Sequence, residues 1–125
     1  MEASALILAA GAGTRMRSSK PKVAHEILKK PLVRWVIDAV HQAGIESVTT
    51  VVGHAREQVE PLVQDTRIVV QTEQLGTAHA VKIAHEALRN TTGPVVVLTG
   101  DSPLIRAKTI EDLVRVQQEN QAAAV

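Results

Sequence analysis

The sequence predicts an α/β fold: a Rossmann-like, mostly parallel sheet with helices on both faces. Short apolar runs recur along the chain, with stretches of helical spacing between them, as in strands joined by helical crossovers. The first run, residues 6–10, consists only of apolar residues, as expected of a strand covered on both sides. With 125 residues, the chain is about one domain long.

The predicted elements alternate from the first strand onward. Pro31 suits the first turn of a helix that ends just before Gly44. Apolar residues at helical spacing predict further helices over residues 77–89 and 107–119, and a weaker one over residues 55–64. The predicted strands are residues 6–10, 48–52, 68–70 and 95–98, with another strand beginning at residues 122–125. The strand at residues 95–98 is also predicted to be buried.

The composition excludes several classes of function. A formal net charge of +1 provides no general attraction to nucleic acid or to a membrane surface. Trp35 is the only aromatic residue, whereas proteins that bind single-stranded nucleic acid stack bases on several aromatic side chains. Cysteine is absent and no H-E-x-x-H motif occurs, which argues against disulfides, thiol catalysis and zinc. The sequence shows neither a leader nor a long apolar run, so we expect a cytoplasmic protein.

A glycine loop follows the first predicted strand. Gly11 and Gly13 allow the backbone to turn tightly and approach a ligand, and such loops direct amide N–H groups toward an anion. Arg15 and Lys22 add positive charge just beyond. The loop matches neither the G-x-x-x-x-G-K-[ST] phosphate loop nor the dinucleotide fingerprint, whose third glycine is replaced by Met16. We predict a nucleotide-phosphate site, with a simple strand-to-loop turn as the alternative.

Two further segments carry chemistry at the ends of predicted strands. Asp101 directly follows the fourth strand, a place suited to Mg²⁺, although a turn or capping aspartate is the alternative. Gln71 ends the third strand and could offer its amide to the edge of a base. Gly76 permits close approach and Thr77 could cap the next helix, so an ordinary loop with an N-cap is the alternative here.

The motifs together resemble a known family. The string L-A-A-G-x-G-T-R-M, followed by P-K, is similar to the signature of sugar-nucleotide pyrophosphorylases. The segment Q-x-E-Q-L-G-T-A-H-A at residues 71–80 and the Gly53-His54 pair sharpen the resemblance. They point to the uridyltransferase half of the bifunctional N-acetylglucosamine-1-phosphate uridyltransferase and glucosamine-1-phosphate acetyltransferase family. The resemblance implies the nucleotide-diphospho-sugar transferase fold.

The resemblance also implies an activity and a set of residues. The family transfers a uridylyl group from UTP to N-acetylglucosamine 1-phosphate with Mg²⁺, releasing pyrophosphate and supplying a precursor of peptidoglycan and lipopolysaccharide. By matching, Arg15 and Lys22 are the expected catalytic residues, and Asp101 is the expected metal ligand. The expected substrate contacts, running from the uracil to the sugar side, are Leu8, Ala9, Ala10, Gly11, Gly13, Lys22, Gln71, Gly76, Thr77, Thr99, Gly100 and Asp101.

The chain departs from the family in length and at single positions. Thr99 stands where the family often has tyrosine, and Lys29, in a pair expected to form a solvated turn, where it more often has glycine. Residues 1–125 match the N-terminal nucleotide-binding part of the transferase domain. The family's second metal ligand, most sugar contacts and its acetyltransferase domain lie beyond this part. We therefore expect a catalytically incomplete fragment whose unpaired sheet edge favours self-association, as in homo-oligomeric relatives.

Two alternatives to the uridyltransferase stay open. One is a sibling nucleotidyltransferase that uses another nucleoside triphosphate, such as CTP or dTTP, a molybdopterin substrate or another phosphorylated acceptor. The other is a nucleotide-binding module without catalytic activity. Nucleotide preference separates the first alternative from the uridyltransferase, and pyrophosphate release separates the second.

Overall fold

A computed structural model describes residues 3–10, 21–73, 76–88, 93–102 and 104–120. Short 3-10 turns lie at Lys22–Ala24 and Glu60–Leu62. None of the described helices is both long enough and apolar enough to cross a bilayer. In chain order, the strands and helices are β1 (Ser4–Ala9), β2 (Glu26–Ile27), β3 (Lys30–Pro31), α1 (Leu32–Gln42), β4 (Ser47–Val52), α2 (Arg56–Val59), β5 (Arg67–Val70), α3 (Thr77–Leu88), β6 (Val95–Thr99) and α4 (Ala107–Asn120).

A four-stranded parallel sheet forms the centre of the fold, with the strand order β5-β4-β1-β6. The described chain passes from β1 to β4 and β5 on one side, and later adds β6 on the other side of β1. The strand order therefore reverses next to β1, and in such sheets ligands bind in the crevice outside the carboxyl ends of the strands at that point. The predicted parallel sheet is confirmed.

Helices cover both faces of the sheet, as predicted. On one face, Ile7 of β1 packs in a cluster with Ile37 of α1 and Ile110 of α4. On the other face, Leu6 of β1 packs with Ala84 of α3. Neighbouring residues of β1 thus point into opposite clusters, which explains why this strand is an uninterrupted apolar run.

Strand β6 was predicted to be buried, but only one of its two faces is buried in the structure. Val96 and Leu98 are buried in the same cluster as Ile7, but Val95 and Val97 on the opposite face are exposed. The described part of α3 packs over β1, β4 and β5 and leaves this face of β6 uncovered. The strand predicted at residues 122–125 lies outside the described residues. The weak helix predicted over residues 55–64 is a single turn, α2, followed by a 3-10 turn.

The sequence did not predict the small antiparallel hairpin of β2 and β3. Its turn residues, Leu28 and Lys29, have positive φ angles of 53° and 66°. Trp35 of α1 holds the hairpin, because its Nε1–H donates to the carbonyl oxygens of Ile27 and Lys30, each at 3.1 Å. The Lys30 ammonium lies 4.6 Å from the Trp35 ring centroid. Lys29 lies in a turn as expected, whereas Lys30 belongs to the hairpin and packs on the indole.

We expect Lys29→Gly to stabilise the protein by about 0.5–1 kcal/mol. A side chain in the left-handed region costs roughly 1–2 kcal/mol, and glycine removes this cost while adding freedom to the unfolded chain. Urea unfolding measures the change. Glu26→Gly is the control, because it places glycine in the extended part of the same hairpin and should destabilise. A Lys29→Gly variant no more stable than wild type would contradict the inference that the Lys29 backbone is strained.

Candidate functional site

A cavity of about 260 Å³ lies at the carboxyl ends of the sheet strands, next to the reversal of strand order. Its residues come from the ends of β1, β5 and β6, from the 3-10 turn after residue 21, and from the start of α3. The lining residues are Leu8, Ala10, Lys22, Val23, Gln71, Gly76, Thr77, Ala80, Thr99 and Asp101.

Eight of the predicted site residues line this cavity, namely Leu8, Ala10, Lys22, Gln71, Gly76, Thr77, Thr99 and Asp101. Two others lie beside it. The Ala9 side chain is buried in the core, and the Gly100 N–H donates to the Leu8 carbonyl oxygen at 2.9 Å. Contacts from these two backbones to a substrate stay predictions. Gly11, Gly13 and Arg15 lie outside the described residues, and so does the predicted phosphate loop.

Gly100 lies in a tightly packed position beside the cavity. A Cβ at this position would lie 3.1 Å from Val23 Cγ1 and 3.3 Å from the Leu8 carbonyl oxygen, tighter than an ordinary contact between nonbonded atoms. The absence of a side chain thus lets the end of β6 lie against β1 and against the turn that carries Lys22.

Lys22 and Asp101 form an ion pair at the cavity, with Lys22 Nζ 3.0 Å from Asp101 Oδ2. The buried Val23 and Ala24 anchor the turn that carries Lys22, and β6 positions Asp101. Burial by itself raises the pKa of the Asp101 carboxyl, but hydrogen bonds from Lys22 and Thr99 and the charge of Lys22 outweigh it. The pKa of Asp101 therefore lies below its ordinary value of 3.8, and the group is a carboxylate at neutral pH.

We expect Asp101→Asn to make stability less dependent on pH in acid. Since the folded pKa of Asp101 lies below 3.8, the carboxylate stabilises the fold above the unfolded pKa, and this contribution is lost as the pH falls through the folded pKa. Urea unfolding between about pH 5 and pH 2 should give a shallower slope for the variant. Asp65→Asn is the positive control, because a hydrogen bond from Arg34 lowers the pKa of Asp65. An unchanged slope in Asp101→Asn would contradict the assignment.

The charged residues at the cavity suit a divalent cation that takes most of its ligands from a bound phosphorylated molecule. Mg²⁺ prefers oxygen ligands and usually takes one or two carboxylates together with phosphate oxygens. Asp101 supplies one such carboxylate at the cavity. Within the described ranges, no three or more His, Cys, Asp or Glu residues cluster as a metal site. The residues present therefore fit Mg²⁺ that is shared with a phosphorylated ligand.

Gln71 forms the opposite part of the cavity lining. It is only 3% exposed, and its backbone N–H donates to the Val52 carbonyl oxygen at 2.7 Å. Its Nε2 lies 3.0 Å from His79 Nδ1 and 3.4 Å from the Gly76 carbonyl oxygen. The Gly76 carbonyl also accepts from the Ala80 N–H, and α3 begins at Thr77. Gly76 therefore occupies the capping position that the sequence predicted for Thr77.

The sequence did not indicate three residues of this region. Val23 and Ala80 line the cavity, but their residue types are equally typical of core positions, and Ala80 belongs to the apolar spacing that predicts the helix over residues 77–89. His79 contacts Gln71, a contact between two elements that the sequence pattern does not indicate. Its position in the first turn after Gly76 is the signal that could have drawn attention to it.

Residues 5–125 match the family model described as the MobA-like NTP transferase domain. The chain belongs to this family. Within it, the chain is similar to proteins named bifunctional protein GlmU. The Staphylococcus saprophyticus protein is 46% identical over 125 residues, which cover 99% of this chain and 28% of the relative. The Bacillus cytotoxicus protein is 48% identical over 121 residues, with 96% and 26% covered. This MobA-like domain thus spans about a quarter of the length of the curated relatives it matches, in their N-terminal part.

Solved structures agree with the fold of the MobA-like NTP transferase domain. A UDP-glucose pyrophosphorylase complexed with UDP-glucose has a TM-score of 0.82 and 22% identity, and the match covers 98% of this chain and 55% of that one. The CTP:phosphocholine cytidylyltransferase LicC from Streptococcus pneumoniae has a TM-score of 0.70 and 25% identity, with 86% and 50% covered. The architecture is therefore that of nucleotidyltransferases.

Proposed function

We propose that this MobA-like NTP transferase domain binds UTP with Mg²⁺ and serves uridylyl transfer to N-acetylglucosamine 1-phosphate. The products are UDP-N-acetylglucosamine and pyrophosphate. One observation carries the proposal: a single cavity is lined both by the Gln71 amide and by the Lys22–Asp101 pair. An amide can pair with the edge of a base, and a lysine beside a metal-binding carboxylate suits a phosphate chain.

The sheet places the proposed base contact and the proposed phosphate contacts at a distance that a nucleoside triphosphate can span. Gln71 follows β5 at one edge of the described sheet, and Asp101 follows β6 at the other. Three strand spacings lie between them, or about 14 Å. An extended nucleoside triphosphate can span the cavity with its base near Gln71 and its phosphates near Lys22. Thr99, whose hydroxyl lies 2.8 Å from that of Ser102, lies on the phosphate side with Asp101.

The choice of UTP and of the sugar phosphate rests on likeness. The segment from Gln71 to Ala80 matches the uridyltransferase pattern, and the relatives named GlmU are similar over almost the whole chain. A structural neighbour was solved with UDP-glucose. The likeness to LicC, a CTP:phosphocholine cytidylyltransferase, makes a cytidylyltransferase the second candidate. The cytoplasmic location, the self-association and the incomplete catalysis expected of residues 1–125 stay predictions.

The proposed reaction needs positioning and charge neutralisation more than proton transfer. An oxygen of the sugar 1-phosphate attacks the α-phosphorus of UTP and pyrophosphate leaves, so the nucleophile is already an anion and requires no protein base. Lys22 exchanges its contact with Asp101 for a phosphate oxygen and neutralises charge there. Asp101 would hold Mg²⁺, which supplies further neutralisation when bound. Arg15 is the proposed second cation.

Calorimetric binding of UTP with and without Mg²⁺, with CTP, dTTP and ATP as competitors, tests this function. We expect UTP to bind preferentially and with dependence on the metal. Pyrophosphate release on addition of N-acetylglucosamine 1-phosphate, with the rest of the transferase domain present, then tests the transfer step. Preferential binding of CTP or dTTP would favour a sibling transferase. Failure of the folded chain to bind any nucleotide would contradict the proposal.

A further inference from the structure

The side-chain amide of Gln71 has two partners that restrict its orientation. Its nitrogen lies 3.4 Å from the Gly76 carbonyl oxygen and 3.0 Å from His79 Nδ1. A backbone carbonyl can only accept a hydrogen bond, so the amide atom facing it must be the NH₂ group. The shorter contact, with His79, is the stronger of the two by distance.

The chemistry of His79 follows from this orientation. If the Gln71 NH₂ donates to Nδ1, then Nδ1 carries no proton, and the neutral ring holds its proton on Nε2. The glutamine uses its two N–H groups on Gly76 and His79. What the amide retains for a ligand in the cavity is the acceptor oxygen, Oε1.

The backbone of this segment supports the contact. Gly76 has a positive φ of 96°, a conformation that favours glycine, and α3 begins at the next residue. The first turn of α3 therefore follows Gln71 after a short loop and carries the His79 ring to the amide. His79 is partly buried, as expected of a side chain packed on a neighbour rather than extended into solvent.

We propose that His79 is a positioning residue that determines base specificity by holding the Gln71 amide with Oε1 available to the base. An acceptor at this place matches the N3–H of uracil or thymine and opposes N3 of cytosine, which is itself an acceptor. This inference rests on the proposed function, because it assigns Gln71 to the base. It goes further by assigning pyrimidine discrimination to a residue that need not touch the nucleotide.

The test is the ratio of the dissociation constants for CTP and UTP, measured by calorimetry with Mg²⁺. We expect His79→Ala to lower this ratio by about tenfold, the scale of one hydrogen bond. His79→Asn should retain the ratio, because its Oδ1 can accept a hydrogen bond close to the position of Nδ1. His85→Ala is the matched control, since His85 lies exposed on the same helix, and its ratio should equal that of wild type.

The outcomes separate this inference from the proposed function. A wild-type chain without preference for UTP over CTP would overturn both. If wild type prefers UTP but folded His79→Ala weakens both nucleotides equally, the role of His79 is structural and the inference is wrong. His79→Leu lacks the acceptor while keeping side-chain bulk, so it provides the same measurement if the alanine variant does not fold.

Discussion

Lys22→Ala is expected to slow uridylyl transfer by about 10²–10³, the loss typical of one preorganised electrostatic group. Lys22 is held at the cavity by the turn that carries it, and on binding it exchanges its contact with Asp101 for a phosphate oxygen. Because residues 1–125 are expected to be catalytically incomplete, pyrophosphate release is measured with the rest of the transferase domain present, and calorimetry measures the accompanying loss of UTP affinity. Lys108→Ala is the control, because Lys108 is an exposed lysine on α4.

Asp101→Asn should remove the dependence of UTP binding on Mg²⁺ while the fold is retained. Lys22→Ala is expected to change Mg²⁺ binding in the opposite direction. Because this substitution removes the ion-pair partner of the Asp101 carboxylate, we expect Mg²⁺ to bind more tightly in the absence of nucleotide. If the ion pair only stabilised the fold, Lys22→Ala would lower the affinities for UTP and for Mg²⁺ together. Full turnover in a folded Lys22→Ala or Asp101→Asn variant would contradict the assignment of these residues.

The largest stability effect is expected from Ile7→Ala, which should lower the free energy of unfolding by about 2–5 kcal/mol. Ile7 lies in the central strand, is 0% exposed and packs in the cluster formed with α1 and α4. Truncation leaves a cavity that the surrounding strands cannot easily fill.

Urea unfolding compares Ile7→Ala with Leu28→Ala as the control. Leu28 is 83% exposed, so its truncation should change stability by no more than about 0.5 kcal/mol. Equal effects of the two substitutions would contradict the assignment of Ile7 to the core. Because Ile7 immediately precedes Leu8 at the cavity, the folded Ile7→Ala variant should also bind UTP more weakly than wild type.

Local patterns in the sequence predicted most of the sheet and helices. An apolar run such as that of β1 indicates a doubly covered strand wherever it lies in the chain, and Pro31 and Gly44 mark the limits of α1 without reference to distant residues. The same local logic placed Gln71 and Asp101 at strand ends. In a parallel sheet, such ends share one edge.

Features that depend on distant partners were not predicted. The β2–β3 hairpin has no glycine in its turn, and its stability depends on Trp35 of α1, which hydrogen-bonds the hairpin backbone. Strand β6 has the composition of a strand buried on both faces, yet Val95 and Val97 on one face are exposed. On that side of the sheet, the described part of α3 packs over β1, β4 and β5 rather than over β6.

The sequence by itself determined the α/β class, the order of the elements and the residue types available at the strand ends, because these follow from periodicity and local backbone preference. Only the tertiary structure decided which of those residues meet. The contact of Lys22 with Asp101 and the contact of Gln71 with His79 arise from the order of strands in the sheet and from the position of α3, which begins directly after Gly76. Hydrogen bonds and ion pairs act over a few ångströms, so their partners are chosen by packing rather than by distance along the chain.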